Sequence, residues 1–145
     1  MTATRSTKEE YHYRKVRRNI SDTECPFCVI KKGDIPYIEE TKFLKVIRNS
    51  FPYSIWDGQG VLDHLMIVPK VHTDKLGNLG PEASVEYIKL IDKYESLGYN
   101  LYARAPSSKI KSVVHQHTHL IKLDNTVRRF VFLLRKPFYI RLSHK

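Results

Sequence analysis

Three histidines recur at strict two-residue spacing in Val113-Val114-His115-Gln116-His117-Thr118-His119-Leu120-Ile121, just ahead of an apolar pair. In a β-strand that period turns all three imidazoles to one face. Phosphate-ester chemistry could use such a row in three ways: metal-activated water, water under a general base, or a covalent histidine intermediate. The last is favoured, because an imidazole with its unperturbed pKa of ~6.5 is largely neutral at pH 7 and its bare nitrogen can attack phosphorus without prior activation. A solvated polar strand face would satisfy the same alternation with no chemistry attached.

The only two cysteines fall in Cys25-Pro26-Phe27-Cys28 and admit two readings. One is a thiol redox pair, which wants a strand before it and a long helix after it. The flanks argue against that, because Asn19 to Glu24 is a polar turn and Gly33 and Pro36 cut any following helix to about one turn. The other is half of a tetrahedral zinc site, two thiolates from a tight turn with two imidazoles from elsewhere, for which His72 and His115 are available.

The histidine alternation resembles the signature of the histidine-triad (HIT) family, His-x-His-x-His followed by two apolar residues. Three further stretches carry the resemblance. Cys25 to Pro36 matches the Cys-x-Phe-Cys-x-Ile-x-x-Gly-x-Ile-Pro segment of the zinc-binding members nearly residue for residue. His64, four apolar residues, Pro69 and His72 follow the family's second histidine pattern, and Asn49-Ser50-Phe51-Pro52 resembles its Asn-x-x-Pro segment. The chain is therefore identified as a member of the HIT family, with the resemblance covering residues 25 to 123.

The resemblance implies a nucleotide-binding hydrolase or nucleotidyltransferase that cleaves at the α-phosphate through a covalent histidine-nucleotide intermediate. It places the nucleophile at His117, with His119 and His64 orienting it and stabilising phosphate oxygens. Asn49 would cap the ribose hydroxyls, and Lys111 and Ser112 would lie at the phosphate. Cys25, Cys28, His72 and His115 would hold a structural zinc, closed to substrate because all four positions are filled. A purine nucleotide or nucleotide conjugate is the implied ligand, and a homodimer the implied assembly. Gln116 and Thr118 stand where the family is usually apolar, which points to a wetter opposite strand face, while Asp63 replaces a usual Gly and Lys111 a usual Gln.

These residues need a scaffold to position them. At 145 residues, 41% hydrophobic and 28% charged, the chain reads as one soluble domain with a single core. Ser6-Thr7-Lys8-Glu9 is a capping-box pattern that opens a short surface helix. Tyr37 to Ile47 reads as a β-hairpin, Asp63 to His72 as a buried strand ended by Pro69, and Tyr99 to Ala103 as a short strand. A helix from Asn78-Leu79-Gly80-Pro81 to Gly98 should pack Val85, Ile88, Leu90, Ile91 and Tyr94 against the core. The expected fold is α+β and HIT-like: an antiparallel sheet of about five strands, one main packed helix and an N-terminal zinc knuckle.

Residues 1–24 then form a basic helical extension, 25–123 the HIT domain and 124–145 a basic C-terminal segment with strands near Phe130 to Leu134 and Phe138 to Ile140. Ile55 to Leu62 reads as a glycine-hinged loop that carries the single Trp, placed either to cover the leaving-group side of the pocket or to enter a subunit interface. A net charge of +10 calls for an anionic partner, which is nucleotide phosphates, nucleic acid or an acidic membrane surface, and composition does not choose among them. A nucleic-acid-linked activity would be that of a polynucleotide-end deadenylase, a decapping-like enzyme or a plain binder. No apolar run approaches the ~18 residues of a membrane span and the N-terminus is charged from Arg5 onward, so a cytoplasmic location with no membrane partner is expected.

Overall fold

Leu65-Met66-Ile67-Val68 is apolar on both sides of its pleat, and the strand that contains it is covered on both faces, as a continuous apolar run requires. The computed structural model describes residues 5–19, 25–127, 131–135 and 139–143. Helix α1 (Thr7–Asn19) leads to β1 (Tyr37–Glu40), β2 (Leu44–Arg48), β3 (Ile55–Trp56) and β4 (Gln59–Pro69). Helix α2 (Pro81–Ser96), β5 (Tyr99–Ala103) and β6 (Thr118–Leu123) follow, and β7 (Val131–Arg135) pairs with β8 (Tyr139–Ser143) in a separate two-stranded sheet. The Ile20 to Glu24 part of the polar turn, Phe130, Pro137 and Phe138 lie outside the described residues.

The main sheet is antiparallel in the order β1-β2-β4-β6-β5. Its sixth strand, one more than expected, is β3, which pairs Ile55 with Gly60 and Trp56 with Gln59. The stretch expected as a glycine-hinged loop is thus a tight hairpin. Asp57 and Gly58 both take positive φ, 49° and 75°, the conformation a two-residue hairpin turn demands, and β4 starts at Gln59 rather than Asp63. A register shift between Val61 and Asp63 falls at the strand entrance where Asp63 stands.

Alternation along β4 sorts the two cores. Leu65 and Ile67 join Leu44, Val46, Leu120, Leu90 and Tyr94 under α2, whereas Met66 and Val68 join Ile47 and Phe27 on the opposite face. The expected helix is present with Pro81 in its first turn, and Gly98 beyond its end has a φ of 82°. Only part of its apolar set packs inward, since Val85 is 56% and Ile88 62% exposed.

The expectation of a wet face behind the triad is corrected. Gln116 and Thr118 are buried, and each polar group is paired: Thr118 Oγ1 meets Tyr87 Oη at 2.7 Å beneath α2, and Gln116 accepts from Lys111 Nζ. Polar residues at these positions are tolerated because their hydrogen-bonding capacity is met.

The capping box is realised in α1. The Glu9 carboxylate accepts from Ser6 N–H at 2.9 Å, Glu9 N–H donates back to Ser6 Oγ, and the same carboxylate accepts from Ser54 Oγ. This last bond, together with Tyr13 edge-on to Phe51 at 5.2 Å, docks the helix start against the loop between β2 and β3.

Candidate functional site

Pairing of β6 begins only at Thr118, so His115 and His117 lie in the extended approach to the strand and His119 within it. The reason is local: the Gln116 N–H donates to Thr73 O at 2.6 Å instead of to a neighbouring strand. The rings nevertheless form one row. Phe27 stands edge-on to His115 (6.0 Å) and His117 (4.9 Å), His117 is 4.8 Å from His119, and His119 is 5.0 Å from His64.

Backbone partners fix the tautomers of the neutral rings. His117 Nδ1 lies 2.9 Å from the His115 carbonyl, which can only accept, so Nδ1 carries the proton and Nε2 keeps its lone pair. His115 Nε2 lies 3.0 Å from Pro69 O and is likewise the donor, leaving Nδ1 bare. Tyr53 N–H donates to His64 Nδ1, so the His64 proton sits on Nε2, 2.9 Å from His119 Nδ1. His119 then holds its proton on Nε2. The row is a directed relay that starts at a backbone amide.

Burial keeps these rings uncharged. It pushes His64 down to about 3, with Arg5 adding to the shift and Asp63 opposing it. It lowers His119 well below the usual histidine value, reinforced by His117, His64, Arg104 and Arg5. His117 is lowered by burial, against its bond to the His115 carbonyl and with help from Lys111 and Arg104.

Asn49 is at the His64 end. Its Oδ1 accepts from Phe51 N–H at 2.9 Å, which turns its Nδ2 to within 3.1 Å of His64 Nε2, a packing contact because that nitrogen's proton is already directed to His119. A cavity of about 340 Å³ borders this end, lined by Asn49, Tyr53, Asp63 and His64, with Glu9 of α1 among the walls. Lys111 reaches Gln116 and the Asp74 carbonyl, and Ser112 is exposed in the loop ahead of the triad.

At the other end Cys25, Cys28, His72 and His115 converge, with their ligand atoms all within 4.8 Å of one another. Cys25 Sγ to His115 Nδ1 is 3.3 Å, Cys28 Sγ to His72 Nδ1 is 3.3 Å and Cys28 Sγ to His115 Nδ1 is 3.5 Å. A tetrahedral zinc with S and N bonds of its usual lengths spans edges of about 3.3–3.8 Å, so the donor set and its spacing fit such an ion. Lys45 holds the knuckle from below, donating to Phe27 O at 2.6 Å and Ile30 O at 2.7 Å. Burial lowers the Lys45 ammonium and the two cysteines oppose that shift.

Every site residue read from the sequence therefore lies in one of these two clusters or in the loop beside them. Several contributors were not read. Lys45 sits unremarked inside the apolar run Phe43 to Ile47. Tyr53 and Tyr102 build an aromatic wall at His119, 5.8 Å and 6.0 Å from its ring, and Trp56, whose stretch the sequence suggested as a cover for the pocket or a subunit contact, joins that wall 4.8 Å from Tyr102. The Asp57-Gly58 pair between short apolar stretches was the available signal for the hairpin that carries Trp56. Arg5 and Arg104 also reach this end, with no mark in the sequence.

No family model matches the chain. It is 30% identical over 114 residues to the adenosine 5'-monophosphoramidase HNT1 of Candida albicans, spanning 70% of this chain and 71% of that protein. The solved histidine triad nucleotide-binding protein from Candida albicans aligns with a TM-score of 0.51 at 28% identity, over 70% of this chain and 76% of that one. A zinc-bound histidine triad family protein from Mycobacterium smegmatis aligns with a TM-score of 0.53 at 22% identity, over 72% of this chain and 78% of that one, a likeness of fold.

Proposed function

Because the chain belongs to the histidine-triad (HIT) family, we propose that it is a nucleotide-binding hydrolase that cleaves at the α-phosphate of a nucleoside-phosphate conjugate and releases a nucleoside monophosphate. The observation that carries this reading is the bond from His117 Nδ1–H to the His115 carbonyl, which aims an unprotonated Nε2 away from the backbone. In the first step Nε2 forms a bond to the α-phosphorus while the bond from phosphorus to the leaving group breaks and its electron pair departs with that group. The ring becomes positive, and the His115 carbonyl dipole strengthens its hold as that charge develops. Water then displaces the imidazole from phosphorus, the ring recovers its electron pair, and the proton of water passes to solvent.

In this reading Asn49 holds the ribose, Lys111 and Ser112 meet the phosphate oxygens, and the His64–His119 relay steadies the reacting centre. Zinc is the ion we assign to Cys25, Cys28, His72 and His115, on the strength of the two-sulfur, two-nitrogen donor set and its spacing. Bound there it would tie the knuckle to the nucleophile's segment and supply folding energy, with no open position for substrate. Among the described residues no helix is long and apolar enough to cross a membrane, and two free thiols arranged for a metal support a reducing, cytoplasmic setting.

The test is a screen of adenylated small molecules for AMP release, with rapid quenching in denaturant to capture one adenylate per chain on histidine. A protein that releases AMP from none of them and takes up no adenylate would sink the proposal. A homodimer belongs to the same reading. The exposed Val85 and Ile88 on α2 and the outer edge of β5, unpaired among the described residues, support it. Sedimentation giving the mass of a single 17.0 kDa chain would end that part.

A further inference from the structure

Helix α1 lies outside the triad, knuckle and His64–His72 motifs, and its two sides differ in kind. One side is docked. Glu9 accepts from Ser54 Oγ, and Tyr13 stands edge-on to Phe51 at 5.2 Å. Arg5, just ahead of the helix, packs over Tyr13 at 4.3 Å and donates from Nε to Phe51 O at 3.1 Å. Glu9 also lines the cavity that Asn49 and His64 border, so the helix is fixed beside that cavity.

The other side is open. At about 100° per residue, Tyr11 falls on the side away from Glu9 and Tyr13, and Lys8, Arg14 and Lys15 surround it there. All four side chains are exposed, Tyr11 by 70%. The carboxylates of the helix do little to offset this charge. Glu9 is turned to Ser54 and the helix start, and Glu10 is shared between Arg14 at 3.0 Å and Arg5 at 3.7 Å. Lys8 and Lys15 make no ion pair among the described residues.

We propose that this outer face of α1 is a docking surface for single-stranded nucleic acid, with Lys8, Arg14 and Lys15 on backbone phosphates and a base stacked on Tyr11. Charge complementarity selects the class of partner, in a chain whose net charge is +10. Clustered cations repel one another and an open tyrosine ring forgoes burial, and a polyanion with flat apolar bases relieves both.

The ring selects the single strand. In a duplex the bases are stacked on each other and closed to a side chain, whereas an unpaired base offers its face to any aromatic ring. An anionic bilayer fits less well, because a helix lying in a membrane surface buries a broad apolar face. On this side of α1, Tyr11 is the sole large apolar-bodied side chain among the described residues. A strand held here would pass within about one helix diameter, ~10 Å, of the cavity. The surface stands apart from the His117 chemistry and does not depend on it.

The experiment titrates the full chain into fluorescein-labelled oligouridylate and oligodeoxythymidylate of about 12 nucleotides, a DNA duplex of the same length and phosphatidylserine vesicles, over about 50–200 mM NaCl. Both single strands should bind with an affinity that falls steeply with salt, and the tighter of the two names the sugar the surface accepts. Tyr11→Ala should weaken that binding about 5- to 100-fold, while Tyr11→Phe keeps it within about twofold. Lys8→Gln and Lys15→Gln should each flatten the slope of log affinity against log salt by about 0.7. All three positions are exposed, so the variants should melt with the wild type.

Wild-type affinity and slope in Tyr11→Ala and in the doubly substituted lysine variant would place any binding elsewhere, as on the basic segment after Asp124, and overturn the proposal. So would the absence of binding to either strand at the lowest salt, or equal or tighter binding to the duplex or the vesicles. AMP release plays no part in these readouts, so failure of the hydrolase reading leaves this surface to be judged by its own result.

Discussion

Replacing His117 with alanine is expected to lower kcat/KM for AMP release by about a thousandfold or more, while AMP still binds. The size of the effect follows from how the other ring nitrogens are committed. His115 gives Nε2–H to Pro69 O and faces the cysteines with Nδ1. His119 accepts the His64 proton at Nδ1 and carries its own on Nε2, and His64 accepts from Tyr53 N–H. No neighbour presents a bare nitrogen to phosphorus, so none can take over. His119→Ala would break the relay and leave the proposed nucleophile in place, and it should cost about 10- to 100-fold. Steady-state turnover and AMP titration by calorimetry read both. Near wild-type turnover in His117→Ala would remove it from the nucleophile role, and loss of AMP affinity in step with turnover would recast it as a binding residue.

What could be read in the sequence was whatever chemistry writes as spacing. The alternate histidines, the Cys25-Cys28 pair and the His64–His72 interval are set by ligand and strand geometry, and the structure brings them together as the intervals imply. Helix α2 was legible for a similar reason, with Pro81 and Gly98 as its limits, although periodicity could not say which apolar residues meet the sheet. Val85 and Ile88 share the helical pattern of Leu90 and Tyr94 and yet face outward.

Polarity misled at Gln116 and Thr118, because a sequence records the cost of burying a polar group but not the partner that offsets it. Lys111 and Tyr87 supply those partners from positions 5 and 31 residues away. Lys45 is the same lesson inverted: a lysine within a strand reads as solvent-facing until the carbonyls of Phe27 and Ile30 are seen to need a donor. Arg5 and Arg104 were out of reach altogether. Their place depends on Tyr53, 48 and 51 positions away in sequence, and no local pattern encodes a contact of that span.

Protein purified without chelator is expected to hold one zinc per chain, and Cys25→Ser is expected to lower the melting temperature by about 10 °C or more. The cluster joins the turn at Cys25 to His72 beyond β4 and His115 ahead of β6, adding to the Phe27 packing, the Lys45 bonds to the knuckle carbonyls and the bond from Gln116 N–H to Thr73 O that also link these segments. Without an ion, burial raises the Cys28 thiol and pushes His115 down to about 4, so a neutral sulfur faces the bare His115 Nδ1 with only weak attraction. Bound zinc would reverse that by holding the thiolate forms, and since thiols must lose protons to bind, its affinity should fall as the pH drops below neutrality. His115 makes the consequence reach the chemistry. Its ring belongs to the metal cluster while its carbonyl orients His117, so metal loss should first destabilise the fold and then slow the folded fraction by a smaller factor. Elemental analysis that finds no zinc would end this assignment, and a Cys25→Ser protein that melts with the wild type would show that the ion, where bound, is not structural.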